Sequence, residues 1–159
     1  MTPLLHHLLL ASAQIPALYK ENGRDGALAQ LLLYELEQAQ ALPLFAPLPH
    51  DLPLASLCRE FLGQPSIHTL PEEWARHLHC SQRTFNRLFR QQTGLSFGVW
   101  RQQACLMAAI PRLLSGSSVT RTALELGYDS PAAFSSMFRK VLGQSPTTFI
   151  RAASRPNEE

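Results

Sequence analysis

The chain has 159 residues, of which 45% are hydrophobic and 16% charged, and this balance excludes a chain that stays disordered. No apolar run reaches the roughly 18 residues that a membrane helix needs. The apolar start lacks a basic flank and is interrupted by Pro16, so it does not resemble a signal peptide. The net charge of +2 conceals an uneven distribution, since residues 50–155 contain twelve Lys/Arg and six Asp/Glu. That surplus is expected of a domain that binds a polyanion.

The first part of the chain predicts a helical hairpin. Strand signals are nearly absent, and Leu, Ala, Gln and Arg recur at helical spacing, so we predict an all-α fold. Two helices are expected, over residues 3–19 and 26–40, with the turn KENGRDG between them. The second helix has a leucine stripe made of Leu28, Leu31, Leu32 and Leu36. We interpret residues 1–42 as a hairpin that serves for dimerisation or as a linker segment.

A proline-rich stretch follows the hairpin and marks a boundary. The segment ALPLFAPLPHDLP contains four prolines and cannot continue a helix. Residues 43–50 are therefore predicted to be a linker, and residues 51–155 a second domain. The first helix of that domain is expected from Leu52 to Leu62, ended by Gly63 and Pro65.

An internal repeat is the most informative feature of the second domain. The segment SQRTFNRLFRQQTGLS (residues 81–96), shifted by 49 residues, aligns with SPAAFSSMFRKVLGQS (residues 130–145). Upstream, WARHLHCS parallels ALELGYDS, and the second turn has one extra residue when His79 is matched to Gly127. Each copy predicts a short helix, a tight turn, a Ser N-cap, a second helix with aromatic core positions and a Gly stop. This is a helix-turn-helix, present twice.

The turn of the first copy contains His79 where the second copy has Gly127. A turn of this kind usually needs a positive φ. Histidine tolerates that region better than most non-glycine residues. We therefore predict that the first copy keeps the turn at a small energetic cost.

The ordered pair of repeats, with the signatures SQRTFNRLFRQQTGLSFGVW and ALELGYDSPAAFSSMFRKVLGQSP, closely resembles the DNA-binding half of AraC/XylS-type transcription regulators. The resemblance covers about residues 50–151. It implies that the second helix of each copy enters a DNA major groove. It also implies that a linking helix, roughly Ser96 to Leu114, holds both copies on one face of the DNA. Two departures concern that helix: Cys105 stands where the family usually has Arg, and Pro111 should end or kink it.

The resemblance also has implications beyond the repeats. Family members commonly have an effector-binding β-barrel before the DNA-binding half, and nothing in this sequence predicts its strands. The chain is therefore either a fragment or a member without a sensor. We expect a bacterial, cytoplasmic, nucleoid-associated protein with double-stranded DNA as its partner. Homodimerisation through residues 1–40 and contact with RNA polymerase are further candidate interactions.

The second helix of the first copy predicts a DNA-reading face. Phe85, Leu88 and Phe89 fall on one side and pack the unit, and the opposite side has no carboxylate. Arginine matches guanine with two hydrogen bonds and asparagine matches adenine, whereas Arg90 is placed to contact a phosphate. A solvated face is the alternative, with Arg90 favourable near the helix C-terminus. The predicted DNA-binding residues of the first copy are Gln82, Arg83, Thr84, Asn86, Arg87 and Arg90.

The corresponding face of the second copy is different. Its small side chains can approach a thymine methyl group or the DNA backbone, but they offer little bidentate hydrogen bonding. Arg139 and Lys140 are interpreted as phosphate contacts. The predicted DNA-binding residues of the second copy are Ser130, Ala132, Ser135, Ser136, Arg139 and Lys140.

Metal and enzyme chemistry are disfavoured by the spacing of the reactive residues. His77, His79 and Cys80 are not followed by a second pair of ligands at zinc spacing. The three cysteines are scattered without a CxxC motif, which indicates a reducing compartment. Three cysteines exclude a four-cysteine zinc module. None of them is placed beside a base that could make it a nucleophile. We expect no metal, no cofactor and no catalytic activity, and we expect Trp74 and Trp100 in the core.

Two functions remain at this point. The first is a sequence-specific transcription regulator that reads major grooves with both helix-turn-helix units. The alternative is a truncated interaction protein that modulates a full-length regulator through its N-terminal helices.

Overall fold

The computed structural model describes residues 3–38 and 42–154. These ranges contain helices and no strand, which confirms the all-α prediction. None of these helices is long and apolar enough to span a bilayer. Two compact units are present, Met1–Leu42 with Arg151–Glu159, and Pro43–Ile150. The helices are α1 (Pro3–Ser12), α2 (Arg24–Gln38), α3 (Leu52–Gly63), α4 (Pro71–His77), α5 (Gln82–Thr93), α6 (Phe97–Leu114), α7 (Val119–Glu125), α8 (Pro131–Leu142) and α9 (Pro146–Ser154).

The first unit is a helical hairpin in which α1 packs on α2. Leu5 and Leu8 of α1 are buried. Gly26, near the start of α2, is also buried, and a Cβ atom there would lie 1.8 Å from the carbonyl oxygen of Glu21. Only glycine therefore allows α2 to begin so close to the preceding turn.

The predicted helix over residues 3–19 is wrong in its length. Helix α1 ends at Ser12, whose hydroxyl donates to the carbonyl of Leu9 at 2.8 Å. The next turn tightens, because Ile15 N–H bonds to the carbonyl of Ser12 at 3.1 Å, and Pro16 cannot donate a helical hydrogen bond. Helix α2 begins two residues before the predicted range of 26–40, and residues 39 and 40 lie outside the described residues.

The core of the second unit is aromatic. Rings of Trp74 and Trp100 interlock with three phenylalanines of α5 and α6, with centroids between 4.9 and 6.3 Å apart and mostly edge-to-face. Such pairs contribute about 0.5–1.5 kcal/mol each beyond their burial. Both tryptophans are buried, at 6% and 0% exposure, which confirms that they are core residues. The cluster consists of Phe61, Trp74, Phe85, Phe89, Phe97 and Trp100.

The repeat predicted from the sequence is present as two helix-turn-helix units. Helices α4 and α5 form the first head, and α7 and α8 form the second head. Ser81 and Ser130 cap the second helix of each head by accepting a backbone N–H at 3.2 and 3.1 Å. Gly94 and Gly143 end those helices with φ values of +74° and +76°. These caps explain why both helices have the same length, and they confirm the predicted start and stop signals.

The proline-rich segment 43–50 lies within the second unit, although the sequence predicted a linker there. Its backbone is held by side chains of α5 and α6, and we call it the strap. Phe45 N–H donates to Gln103 Oε1 at 2.8 Å, and Trp100 Nε1 donates to the carbonyl of Pro47 at 2.9 Å. The N–H groups of His50 and Asp51 both donate to Gln92 Oε1, at 2.8 and 3.0 Å.

Helix α6 connects the two heads, close to the predicted range of Ser96 to Leu114. Pro111 was expected to end or kink this helix, and it does not end it, because the helix continues to Leu114. Pro111 is exposed and close to the end of the helix. The neighbouring Leu113 is 1% exposed, and its packing holds the last turn in place against the lost hydrogen bond. Cys105 is fully buried in the middle of the same helix.

Candidate nucleic-acid interface

Helix α5 is strongly amphipathic. Phe85, Phe89 and Thr93 are buried on one side. The Thr93 hydroxyl donates to the carbonyl of Phe89 at 2.7 Å, so the polar atom on the buried side is satisfied within the helix. The packed side therefore fixes the rotation of α5, and it determines which side chains face outward.

The outward face of α5 is basic. Arg83, Asn86, Arg87 and Arg90 are all exposed. None of the three arginines forms an ion pair with any residue in the described ranges. Like charges one turn apart destabilise a helix by about 0.2–0.5 kcal/mol per pair, so an isolated α5 gains nothing from this arrangement. An anionic partner would remove the repulsion.

Two of the six residues predicted to bind DNA on α5 already have partners within the protein. Gln82 Nε2 donates to Glu72 Oε1 of α4 at 2.6 Å. The hydroxyl of Thr84 is 2.9 Å from the hydroxyl of Ser81, the N-cap. Both side chains lie at the start of α5 and are exposed. The other four of the six predicted residues have exposed side chains without a partner among residues 3–38 and 42–154.

A cleft of about 390 Å³ lies beside this face, between α5 and the start of α6. Arg90 and Arg101 both line it and give it positive charge. Arg101 was not singled out from the sequence. Its Nη1 donates to the carbonyl of Thr69, its guanidinium lies 5.8 Å from the centre of the Phe97 ring, and its buried Nε has no partner in the described residues. The lining residues are Pro71, Asn86, Arg90, Ser96, Phe97, Gly98 and Arg101.

The second head presents smaller side chains. Ser130 is the N-cap of α8, and its hydroxyl accepts the N–H of Ala133, so this predicted contact residue has a structural partner. Ala132 and Ser136 are exposed, and Ser135 is half-buried. Arg139 and Lys140 are exposed near the end of α8 and form no ion pair in the described ranges. Apart from these two cations, this face offers only small side chains.

The cations of α7 and the end of α6 differ from those of α5. Arg121 Nε donates to Glu125 Oε1 at 2.8 Å, and Arg112 Nε is 3.9 Å from the other carboxylate oxygen. The hydrogen bond from Arg121 lowers the pKa of Glu125, and the same bond raises the pKa of Arg121. Glu125 thus already neutralises positive charge in the second head, whereas the arginines of α5 have no such partner.

The histidine and cysteine residues considered as metal ligands or nucleophiles occupy separate places in the structure. His77 Nδ1 is 2.9 Å from the carbonyl of Glu73 on its own helix. No cluster of His, Cys, Asp and Glu that could hold a metal is present among the described residues. Burial raises the pKa of the Cys58 and Cys105 thiols to about 12. Both thiols therefore stay protonated at neutral pH and are poor nucleophiles.

Two helix-turn-helix units that share one hydrophobic core, one of them with an unbalanced basic face, define a DNA-binding protein of the helix-turn-helix class. Residues 74–152 match a family model described as a helix-turn-helix domain. The DNA-binding domain of AdpA, a global transcriptional factor solved in complex with a target DNA, is 35% identical, with a TM-score of 0.58. That match covers 66% of this chain and 97% of the AdpA domain.

Two further relatives extend the comparison. The HTH-type transcriptional regulator NimR of Escherichia coli K12 is 33% identical over 150 residues, which are 94% of this chain and 55% of NimR. The C-terminal domain of AraT, a response regulator from Geobacillus stearothermophilus, is 25% identical with a TM-score of 0.56, over 64% of this chain and 86% of that domain. The chain thus spans about half the length of NimR. It belongs to the AraC/XylS family through its DNA-binding domain.

Proposed function

We propose that this protein is a sequence-specific transcription regulator that binds double-stranded DNA and reads two major grooves with its two heads. The observation that carries the proposal is the outward face of α5, where three exposed arginines without an ion-pair partner in the described residues lie beside the exposed Asn86. A duplex supplies the missing anions through its phosphates and the missing hydrogen-bond acceptors through its base edges.

Within this proposal, the first head is the reader of sequence. Arg83 and Arg87 are suited to bidentate contacts with guanine, and Asn86 is suited to adenine. Arg90 has a different role because it lines the cleft beside α5 together with Arg101. A DNA phosphate in that cleft would meet two guanidinium groups and the N-terminal end of α6, which attracts anions.

The second head positions the protein more than it reads bases. Arg139 and Lys140 contact phosphates, and the small residues Ala132, Ser135 and Ser136 allow the helix to approach the groove closely. Specificity is accordingly concentrated in the half-site bound by the first head. Ser130 caps α8 by accepting a hydrogen bond, and its hydroxyl hydrogen is still able to donate to a DNA phosphate.

The first unit supplies the further interactions of the proposal. Apolar side chains of α2 remain exposed, among them Leu31 at 43% and Leu33 at 60%. We propose that residues 1–40 pair with a second copy and cover this apolar surface. DNA-bound dimers in the bacterial cytoplasm would then act through RNA polymerase. The alternative, an interaction protein that modulates a full-length regulator, uses the same surface but requires no DNA binding.

Selection from a random DNA library tests the proposal. Duplexes of about 30 bp, three helical turns, are enriched by the wild-type protein and then compared with unselected DNA in gel shifts at about 50 and 200 mM salt. We expect one enriched sequence pattern, a preference of at least about 10³-fold over unselected DNA and a steep loss of affinity with salt. The interaction-protein alternative is supported instead if no pattern is enriched and the protein associates with a full-length regulator.

A further inference from the structure

The loop between α3 and α4 contacts the second head, although it leads into the first. Ile67 N–H donates to the carbonyl of Leu126, in the turn between α7 and α8, at 2.9 Å. Two residues further on, the carbonyl of Thr69 accepts a hydrogen bond from Arg101 of the linking helix α6. We call residues 66–69 the clamp. They join the second turn and the linking helix through backbone groups.

The closest packing in this contact is at Gly127. Its φ is +79°, and a Cβ atom there would lie 2.8 Å from Ser66 Oγ and 2.9 Å from His68 Cδ2. Gly143 has nearly the same φ, +76°, but a Cβ atom on it would meet no atom within 4 Å. A side chain at 127 would therefore have to displace the side chains of Ser66 and His68, in addition to adopting a positive φ.

The first head shows what the same turn requires when nothing covers it. His79 occupies the position equivalent to Gly127 and has a φ of +52°, as its place in the repeat predicted. Its side chain is exposed. A non-glycine residue is thus accommodated in this turn, and the difference at Gly127 is the clamp that lies on it.

We propose that the clamp fixes the angle between the two heads and thereby makes the protein selective for the spacing of its two DNA half-sites. This inference rests on the proposed function. Without the clamp, the second head would be held to α6 by the packing of α7 and the Arg112–Glu125 contact, next to the turn at Gly116, which has a φ of +95°. One base pair rotates the groove by about 35° around the DNA axis, so two heads held at one angle match only one spacing.

The test compares Gly127→Ala with Gly143→Ala, because both add one methyl group at a positive φ and only the first meets the clamp. The probe is the duplex selected by the wild-type protein, together with versions in which the spacer is one base pair longer or shorter. We expect the wild type and Gly143→Ala to lose about tenfold or more in affinity on the altered spacers. Gly127→Ala should bind all three duplexes with Kd values within about threefold of one another, because its heads are no longer held at one angle. A threefold difference in Kd corresponds to ~0.65 kcal/mol.

A second measurement needs no DNA. Spin labels on the exposed positions Gln91 and Ala133, introduced as cysteines in a Cys80→Ser background, report the distance between α5 and α8. The distribution should broaden in Gly127→Ala and stay narrow in Gly143→Ala. If Gly127→Ala does not fold, the variant Ile67→Pro removes the N–H that binds the carbonyl of Leu126 and should also broaden the distribution. Equal distributions in every variant would overturn the clamp even if the wild type binds no DNA.

Discussion

The two heads share one framework but differ in the residues they present. Capping serines, core phenylalanines and terminal glycines recur at a fixed shift because each is required by the helix-turn-helix itself. The outward faces differ, with arginine and asparagine on α5 and small residues on α8. The turns differ too, since His79 is exposed and Gly127 is covered. Repeated residues therefore mark what the fold requires, and unrepeated residues mark what each head does.

The largest expected difference between the heads is the loss of stability when a core phenylalanine is replaced. The Phe89 ring has four aromatic neighbours, whereas its counterpart Phe138 has two. We expect Phe89→Ala to lower the free energy of unfolding by about 3–5 kcal/mol, and Phe138→Ala by less, because fewer ring contacts are lost. Urea denaturation of both variants measures this. A larger loss for Phe138→Ala would contradict the assignment of the main core to the first head.

The second-largest difference is expected in DNA affinity, when residues on the outward faces of α5 and α8 are replaced. Arg87→Ala is expected to weaken binding to the selected duplex by about 1–3 kcal/mol and to change binding to unselected DNA little, because a base contact carries sequence information. Its counterpart in the second head, Ser136→Ala, should have a smaller effect. Arg59→Ala on α3 removes the same charge from an exposed position elsewhere and is the matched control. Equal losses of affinity on selected and unselected DNA would show that Arg87 does not contact a base.

The salt dependence of binding distinguishes a phosphate contact from a base contact. Arg139→Ala should weaken binding to selected and unselected DNA alike, and the slope of log K against log salt should become shallower by about one unit. Titrations at four salt concentrations, after confirming an unchanged melting temperature, give that slope. Relaxed sequence preference in this variant, with an unaltered slope, would show that the roles of the two heads have been assigned in reverse.

The smallest expected effect concerns the exposed turn. His79→Gly relieves a left-handed backbone strain of about 1–2 kcal/mol, but glycine adds about 0.5–1 kcal/mol of conformational entropy to the unfolded chain. We expect a net stabilisation of about 0.5 kcal/mol in urea denaturation. Gln91→Gly, on the exposed side of α5, is the control and should destabilise by about 1 kcal/mol. A loss of stability in His79→Gly would mean that the histidine side chain itself stabilises the turn.

The sequence predicted the framework of both heads because that framework is local. A Ser cap, a Gly stop and phenylalanines spaced by four residues act within one helix, and the structure has them where they were expected. The DNA contacts themselves stay predictions. What the structure adds to them is that Arg83, Asn86, Arg87 and Arg90 are exposed together, and that Gln82 and Thr84 already have partners.

The features that the sequence did not predict depend on contacts between distant residues. Gln103 binds a backbone N–H 58 residues earlier in the chain, and Gln92 binds one 42 residues earlier. No periodic sequence pattern identifies such glutamines, because the backbone groups that they bind lie in a segment without regular secondary structure. The overlong prediction of α1 has a different cause, because alanine and leucine favour helix on both sides of Pro16, and the prediction continued through that proline.

The strap has a practical consequence for dividing the protein. A gene fragment starting at Asp51 follows the domain limit that the sequence suggests, but it removes the chain that Trp100 Nε1 and Gln103 Oε1 bind. Trp100 is fully buried and Gln103 is 8% exposed, so both polar groups would be left without their partners inside the domain. A fragment that starts at Pro43 keeps every one of these bonds. The shortest piece suitable for expression, labelling or fusion to another protein therefore begins at the first proline of the strap.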